Sequence, residues 1–206
     1  MLYRFFKRLF DIVFGLIGLV LLVPITIVVK IAYMCTGDFH RIFFVQERIG
    51  KNGKLFKIVK YRTMVIDAEE RLKELMEKKP KIRAEYEANK KIRNDPRITK
   101  VGNILRRFSI DEMPQFLNVL VGQMALVGNR PYLPREKKEM GKYYETIIKT
   151  KPGITGLWQV SGHNEVSFKS RLELEALYSN IMGPRVDLKV ILGTFKAIFF
   201  KQSERI

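Results

Sequence analysis

Cysteine is nearly absent from this chain. Cys35 stands alone, so no intrachain disulfide can form. Histidine is almost as scarce, with only His40 and His163, and one cysteine with two histidines argues against a zinc site. No internal repeat or low-complexity segment is present. Acidic residues are outnumbered, 21 Asp and Glu against 38 Lys and Arg, which leaves a formal charge of +17. An excess that large calls for an anionic partner and says little about fold. Nucleic acid, an anionic membrane surface and phosphorylated small molecules all fit. With 206 residues, 47% of them hydrophobic, the chain has enough material for one domain with a real core plus an appendage, and disorder is not expected.

Charge is also missing from one long run. The 18 residues from Ile12 to Val29 carry none, between Asp11 and Lys30. As a straight helix they would cover roughly 27 Å, close to a bilayer core of about 30 Å. A cleaved signal peptide has a similar profile, but Cys35-Thr36-Gly37 is a poor small-residue cleavage site, so a retained anchor over residues 1–38 is expected. Pro24 sits in the middle and predicts a kink or a break. Arg4, Lys7 and Arg8 precede the run, and Lys30, Arg41, Arg48, Lys51 and Lys54 follow it. Cations on both flanks favour keeping both on the cytoplasmic side, which a broken, re-entrant helix would satisfy. A spanning helix with a mild kink remains the alternative.

Beyond the anchor, Phe39 to Gln46 and Leu55 to Met64 read as strands of a hairpin, with Gly50 and Asn52-Gly53 as turn residues. Asp67 to Lys91 reads as a solvated helical pair divided at Pro80. Helical spacing recurs from Ile98 to Phe108, and helices are expected over Pro114–Val121, Glu136–Lys149 and Phe168–Asn180. Leu157 to Val160 reads as a short strand. From Leu188 to Phe200 one apolar face is flanked by Lys189, Lys196 and Lys201, as in a helix lying in a membrane interface or in a core-packed terminal helix.

The chemistry-bearing candidates are the adjacent carboxylates Asp111 and Glu112. Ser109 and Glu112 have the spacing of a helix capping box, which would make the pair structural. Pro114 weakens that reading. If it is instead the first helical residue, both carboxylates lie just ahead of a helix and its positive end. Arg106 and Arg107 are adjacent in sequence, and Lys60, Arg62, Arg97, Lys100 and Arg130 add further cations. Carboxylates among cations stay ionised, and an ionised Asp can bind Mg²⁺ or attack phosphorus. Arginines match phosphate oxygens in pairs. The turns Gly128-Asn129-Arg130-Pro131 and Pro152-Gly153-Ile154-Thr155-Gly156 could bring backbone N–H groups to a phosphate. Trp158 is expected to be a packing residue.

Several blocks together resemble a family. They are the basic start and Pro24 of the anchor; Glu47 to Gly53 leading to Phe56-Lys57 and Lys60 to Met64; Asn94 to Gly102; Leu105 to Gln115; and Gly128 to Pro131 with Lys151 to Asn164. In order and in content they are similar to the bacterial sugar transferases, the monotopic polyprenyl-phosphate phosphoglycosyl transferases. Asp-Glu-Met-Pro-Gln and Lys-Pro-Gly-Ile-Thr-Gly-Leu-Trp-Gln-Val are the most specific stretches. The resemblance implies an α/β, helix-dominated fold with a small β-hairpin, and a compact catalytic domain over residues 39–206. That domain would sit on the cytoplasmic face of the inner membrane, with amphipathic helices in the interface.

It also implies a reaction. Asp111 would attack the β-phosphate of a UDP-sugar and release UMP, and polyprenyl (undecaprenyl) phosphate would then take the sugar phosphate from the enzyme. Asp111 and Glu112 would be catalytic, with Mg²⁺ held by Asp111 and with Lys60, Arg106, Arg130 and His163 binding substrate phosphate. Membrane lipids would be partners, no nucleic acid is expected, and a homo-oligomer is left open. The long helical insert matches members that transfer hexose phosphates. Departures from the pattern are His163 where Arg is usual, Gln123 for Asp, Ala125 for Ser and Asn129 for Pro. A basic membrane-bound adaptor, or a binding-only relative without turnover, is the competing reading.

Overall fold

The structure, a computed structural model, describes residues 2–90, 92–161 and 167–200. It begins with one helix of 34 residues, α1 (Leu2–Cys35), about 51 Å long. By length and composition α1 is able to cross a membrane. Of the kink or break expected at Pro24 the break is absent, since helical turns continue through that residue. The helix is also no detached appendage. Asp11, Gly15, Gly18, Leu22, Val29 and Tyr33 are its buried residues, and they recur at three, four or seven positions along one face. The opposite face is apolar and exposed, with Val20 at 72% and Val28 at 65%.

Strands β1 (Phe43–Ile49) and β2 (Leu55–Tyr61) form the antiparallel hairpin, pairing Phe43 with Tyr61 and Ile49 with Leu55. The turn uses Asn52 and Gly53 at φ 56° and 75°, as the turn chemistry predicts. β1 starts later than expected because the segment before it is engaged elsewhere. The Arg62 side chain, just beyond β2, donates to the Arg41 carbonyl and to Asp38 Oδ2. The charged pair follows as α2 (Ala68–Lys78) and α3 (Pro80–Asn89), with Pro80 as first helical residue.

Helix α4 (Lys100–Arg107) is capped by the Thr99 hydroxyl, which accepts from the Gly102 N–H at 2.8 Å. Its apolar face joins Tyr33, Leu22, Ile42 and Tyr61 in one core. A 3-10 turn, Ile110–Gln115, leads into α5 (Phe116–Leu120). The glycines of α1 let α5 approach. A Cβ placed on Gly18 would lie 2.4 Å from Phe116 Cγ, and one on Gly15 2.8 Å from Leu120 Cδ2. Arg8 of α1 then fastens α5 by donating to the carbonyls of Val119 and Leu120, both at 2.7 Å.

Strand β3 (Ala125–Val127) pairs in parallel with β4 (Gly153–Thr155), through contacts so close that a Cβ on Gly153 would meet Gly128 N at 2.1 Å. Between them the expected single helix is divided into the 3-10 turn Pro134–Glu136, α6 (Lys137–Met140), the turn Gly141–Tyr143 and α7 (Tyr144–Ile147). Gly141, at φ 49°, takes the chain out of helical geometry there. The strand expected at Leu157–Val160 is a helical turn, α8, because the strand hydrogen bonds are completed earlier, at Gly153–Thr155. Helices α9 (Phe168–Ile181) and α10 (Pro184–Phe200) close the fold. Leu188, Leu192 and Phe195 line an exposed apolar side of α10.

Candidate active site

Asp111 and Glu112 lie inside the 3-10 turn, so neither reading of their local role survives intact. Ser109 does not cap. It adopts a left-handed conformation at φ 55° and its side chain makes no capping hydrogen bond. Pro114 does not open a helix either, because it is buried within the turn. A left-handed residue before a tight turn redirects the chain, which places both carboxylates against β2.

There Lys60, near the end of β2, donates from Nζ to Glu112 Oε1 at 2.8 Å. Burial alone would raise the Glu112 carboxyl, but Lys60, with help from the Arg130 charge, outweighs it and holds Glu112 below the usual glutamate range. Asp111 goes the other way. Burial and the Glu112 charge beside it push it up to about 6, against the pull of Lys60 and Arg106. Two adjacent carboxylates are thus driven apart, one firmly ionised and one poised near neutrality. Arg106 is directed by its Nε donating to Thr63 Oγ1 at 2.9 Å.

Arg130 comes from the loop after β3. Its backbone N–H donates to both carboxylate oxygens of Glu175, at 2.9 and 2.7 Å. Asn129, next to it, is buried and its amide donates to the Ile147 carbonyl, Thr150 Oγ1 and Ser179 Oγ. Two of the glycine N–H groups in the expected turns are already engaged. Gly128 N–H donates to Thr155 O and Gly153 N–H to Asn129 O, so strand pairing already uses them.

Lys60, Arg106 and Arg130 all act electrostatically on the dyad in the folded chain. His163 lies outside the described residues. Gln123 accepts from Asn118 Nδ2 at 2.7 Å, and Asn118 in turn donates to the Lys57 carbonyl, a structural tie between α5 and β2. Trp158 is buried as expected, but it also carries two guanidinium groups. Arg171 Cζ lies 4.6 Å and Arg130 Cζ 6.0 Å from its ring centre.

Sequence reasoning passed over Arg171, Glu175 and Arg48 as site residues. Arg171 and Glu175 fall on the buried stripe of α9 with Phe168, Leu172 and Tyr178. Charged residues at positions whose neighbours are core are the signal that could have found them. Arg48 sits in β1, where Nη1 donates to the Pro131 carbonyl at 3.0 Å.

Among the described residues no group of three or more His, Cys, Asp or Glu is assembled for a metal. Two adjacent carboxylates are nevertheless the donor set that suits Mg²⁺, which commonly takes one or two carboxylates and completes its shell with water and substrate phosphate.

The model of the family described as "Bacterial sugar transferase" matches residues 2–201. The undecaprenyl-phosphate galactose phosphotransferase of Salmonella typhimurium is 40% identical over 195 residues, covering 95% of this chain and 40% of that protein. The exopolysaccharide production protein ExoY of Rhizobium meliloti is 36% identical over 192 residues, 93% of this chain and 84% of its own length. The UDP-glucose:undecaprenyl-phosphate glucose-1-phosphate transferase of Klebsiella pneumoniae is 36% identical over 207 residues, 96% of this chain and 41% of that protein. The chain thus spans about two fifths of the length of several relatives it matches and most of the length of ExoY. A carboxylate pair of divided charge, ringed by Lys60, Arg106 and Arg130 and carried on a chain matched from residue 2 to 201, places this protein in the bacterial sugar transferase family.

Proposed function

We propose that the chain moves a sugar 1-phosphate from a UDP-sugar to polyprenyl (undecaprenyl) phosphate and so begins assembly of a polysaccharide or glycoconjugate. The observation that carries this is the unequal dyad: Glu112 held ionised by Lys60, beside a half-buried Asp111 whose carboxyl burial and the Glu112 charge raise. The activities named for the Salmonella and Klebsiella relatives support it.

In the first step an Asp111 carboxylate oxygen attacks the β-phosphorus of the donor. The bond from that phosphorus to the bridging oxygen breaks, UMP leaves, and the phosphosugar stays on Asp111. In the second step an oxygen of the lipid phosphate attacks the same phosphorus and the Asp111 carboxylate is released. Lys60, Arg106 and Arg130 offset the phosphate charge. Asp111, with Glu112 beside it, would hold Mg²⁺, which supplies further charge neutralisation at phosphorus. The exposed apolar faces of α1 and α10 would seat the protein on the inner membrane with the dyad on the cytoplasmic side.

The test is nucleotide release from a panel of UDP-sugars by detergent-solubilised protein with Mg²⁺ and polyprenyl phosphate. Wild type should release UMP with at least one donor, and Asp111→Asn should lower the rate at least about 10³-fold. Equal release by the variant, or none by wild type, rejects the reading.

A further inference from the structure

Among the described residues three arginines gather beside the dyad without forming an ion pair, Arg171 buried and Arg48 and Arg130 half-buried. Arg171 is 3% exposed. Arg171 and Arg130 share the Trp158 ring, and Arg48 is bonded to the loop that carries Arg130. The Nε of each of the three is buried and has no hydrogen-bond acceptor. The hydroxyl of Tyr132, two residues beyond Arg130 and 1% exposed, is likewise without an acceptor. Four unpartnered donors therefore stand in one neighbourhood.

Glu112 reaches Arg48 and Arg130 only through its charge and is itself bonded to Lys60, and the other carboxylates nearby are engaged by backbone N–H groups. Glu136 accepts from the Leu133 N–H at 2.6 Å, and Glu175 accepts from the Arg130 N–H through both oxygens. Among the described residues neither forms an ion pair with Arg48, Arg130 or Arg171. The guanidinium groups also repel each other, and burial together with the Arg130 charge pulls Arg48 down to about 10. Buried donors without acceptors cost stability, and an unpaired charge as buried as Arg171 costs more. An anion that enters the cluster removes the cost.

We propose that Arg48, Arg130, Arg171 and Tyr132 form a subsite for a phosphomonoester, beside the phosphate on which the dyad acts. The inference rests on the proposed reaction for its choice of ligand. A tetrahedral dianion has enough oxygens for several guanidinium donors and a phenol at once, which a carboxylate has not. Two participants in that reaction present such a group. The leaving nucleoside monophosphate carries one, and so does the lipid acceptor, and each is joined in turn to the same phosphorus from the side away from Asp111.

Calorimetric titration tests this. UMP, and separately a short-chain polyprenyl phosphate in detergent, are titrated into the purified full chain and into its Arg171→Met and Tyr132→Phe variants. Each variant should weaken at least one ligand about tenfold, the size of one lost hydrogen bond to a charged group. Weakening of UMP alone assigns the leaving nucleotide, of the lipid alone the acceptor, and of both a subsite used twice. Unchanged dissociation constants for both ligands in both variants overturn the proposal. Should Arg171→Met fail to fold by circular dichroism, Tyr132→Phe decides, since it removes one oxygen and keeps the ring. UMP release by wild type is read on the same preparation. Binding that depends on these residues without release overturns the reaction and not the subsite, and release with unaltered binding does the reverse.

Discussion

Lys60 Nζ and Glu112 Oε1 stand 2.8 Å apart, joining the end of β2 to the turn that carries the dyad. The pair is half-buried, so it is screened less than a surface ion pair. Its chief consequence is to keep one of two neighbouring carboxylates charged.

Lys60→Met should therefore cost activity, not merely stability. With the ammonium gone, burial acts on Glu112 against only the Arg130 charge and the Gln115 hydrogen bond, and its carboxyl rises. The rate of UMP release should fall about 10²-fold, with Lys60→Arg retaining part of it. A Lys60→Met protein as active as wild type would show that the pair has no part in the reaction.

The contact between α1 and α5 predicts a graded response. Alanine at Gly18 would drive a methyl group into the Phe116 ring, with three ring carbons within 2.6 Å. Alanine at Gly15 meets only the end of the Leu120 side chain, at 2.8 Å, which can rotate away. Gly18→Ala should cost about 1–3 kcal/mol and Gly15→Ala less, partly offset by better helix propensity in each. Thermal unfolding in detergent gives the order, and equal midpoints would contradict the packing described.

At Asn129 the resemblance leads one to expect proline. Asn129→Pro should nonetheless destabilise this chain, because the donors to Ile147, Thr150 and Ser179 are lost from a buried site. The expected cost is about 1–3 kcal/mol, read as a lower unfolding midpoint. A midpoint equal to or above wild type would mean that the amide network adds nothing.

Glu175 gives a pH dependence of stability. Burial lifts its carboxyl from the ordinary 4.5 to about 8, with the Arg130 N–H, Arg130 and Arg171 opposing. The folded chain thus holds a proton that the unfolded chain has released across that interval, so this group lowers stability as pH rises from about 4.5 to about 8 and adds nothing further above. Glu175→Gln keeps an acceptor for the Arg130 N–H and cannot ionise. It should unfold later than wild type at pH 8.5, with a difference on the order of a few kcal/mol that shrinks towards pH 5. Unfolding midpoints at the two pH values decide it, and a gap that stays constant sinks the explanation.

How much of this was legible beforehand varies by element. The hairpin, α2 and α3, α4, α9 and α10 were readable because their signals are local: turn residues at Asn52-Gly53, a proline at residue 80, a capping threonine, a helical period. The errors fall where distant segments compete for the same backbone groups. β4 takes its partner from β3, 28 positions earlier at Ala125 and Gly153, so the neighbouring Leu157–Val160 is left to turn as a helix. Pro24 looked like a breaker, yet α1 runs through it undivided and packs along its length on α4, α5, β3 and the dyad's turn.

The sequence by itself determined the apolar anchor, the cationic excess, the identity of the dyad and the family, since each resides in residue type and order along the chain. The tertiary structure alone decided that Asp111 and Glu112 are unequal, because their charges depend on burial and on a lysine 52 positions away. It alone brought Arg48, Arg130 and Arg171 together, from β1, the loop after β3 and α9. Charge is written in a sequence, but the cost of burying it arises only when separate segments exclude the same water.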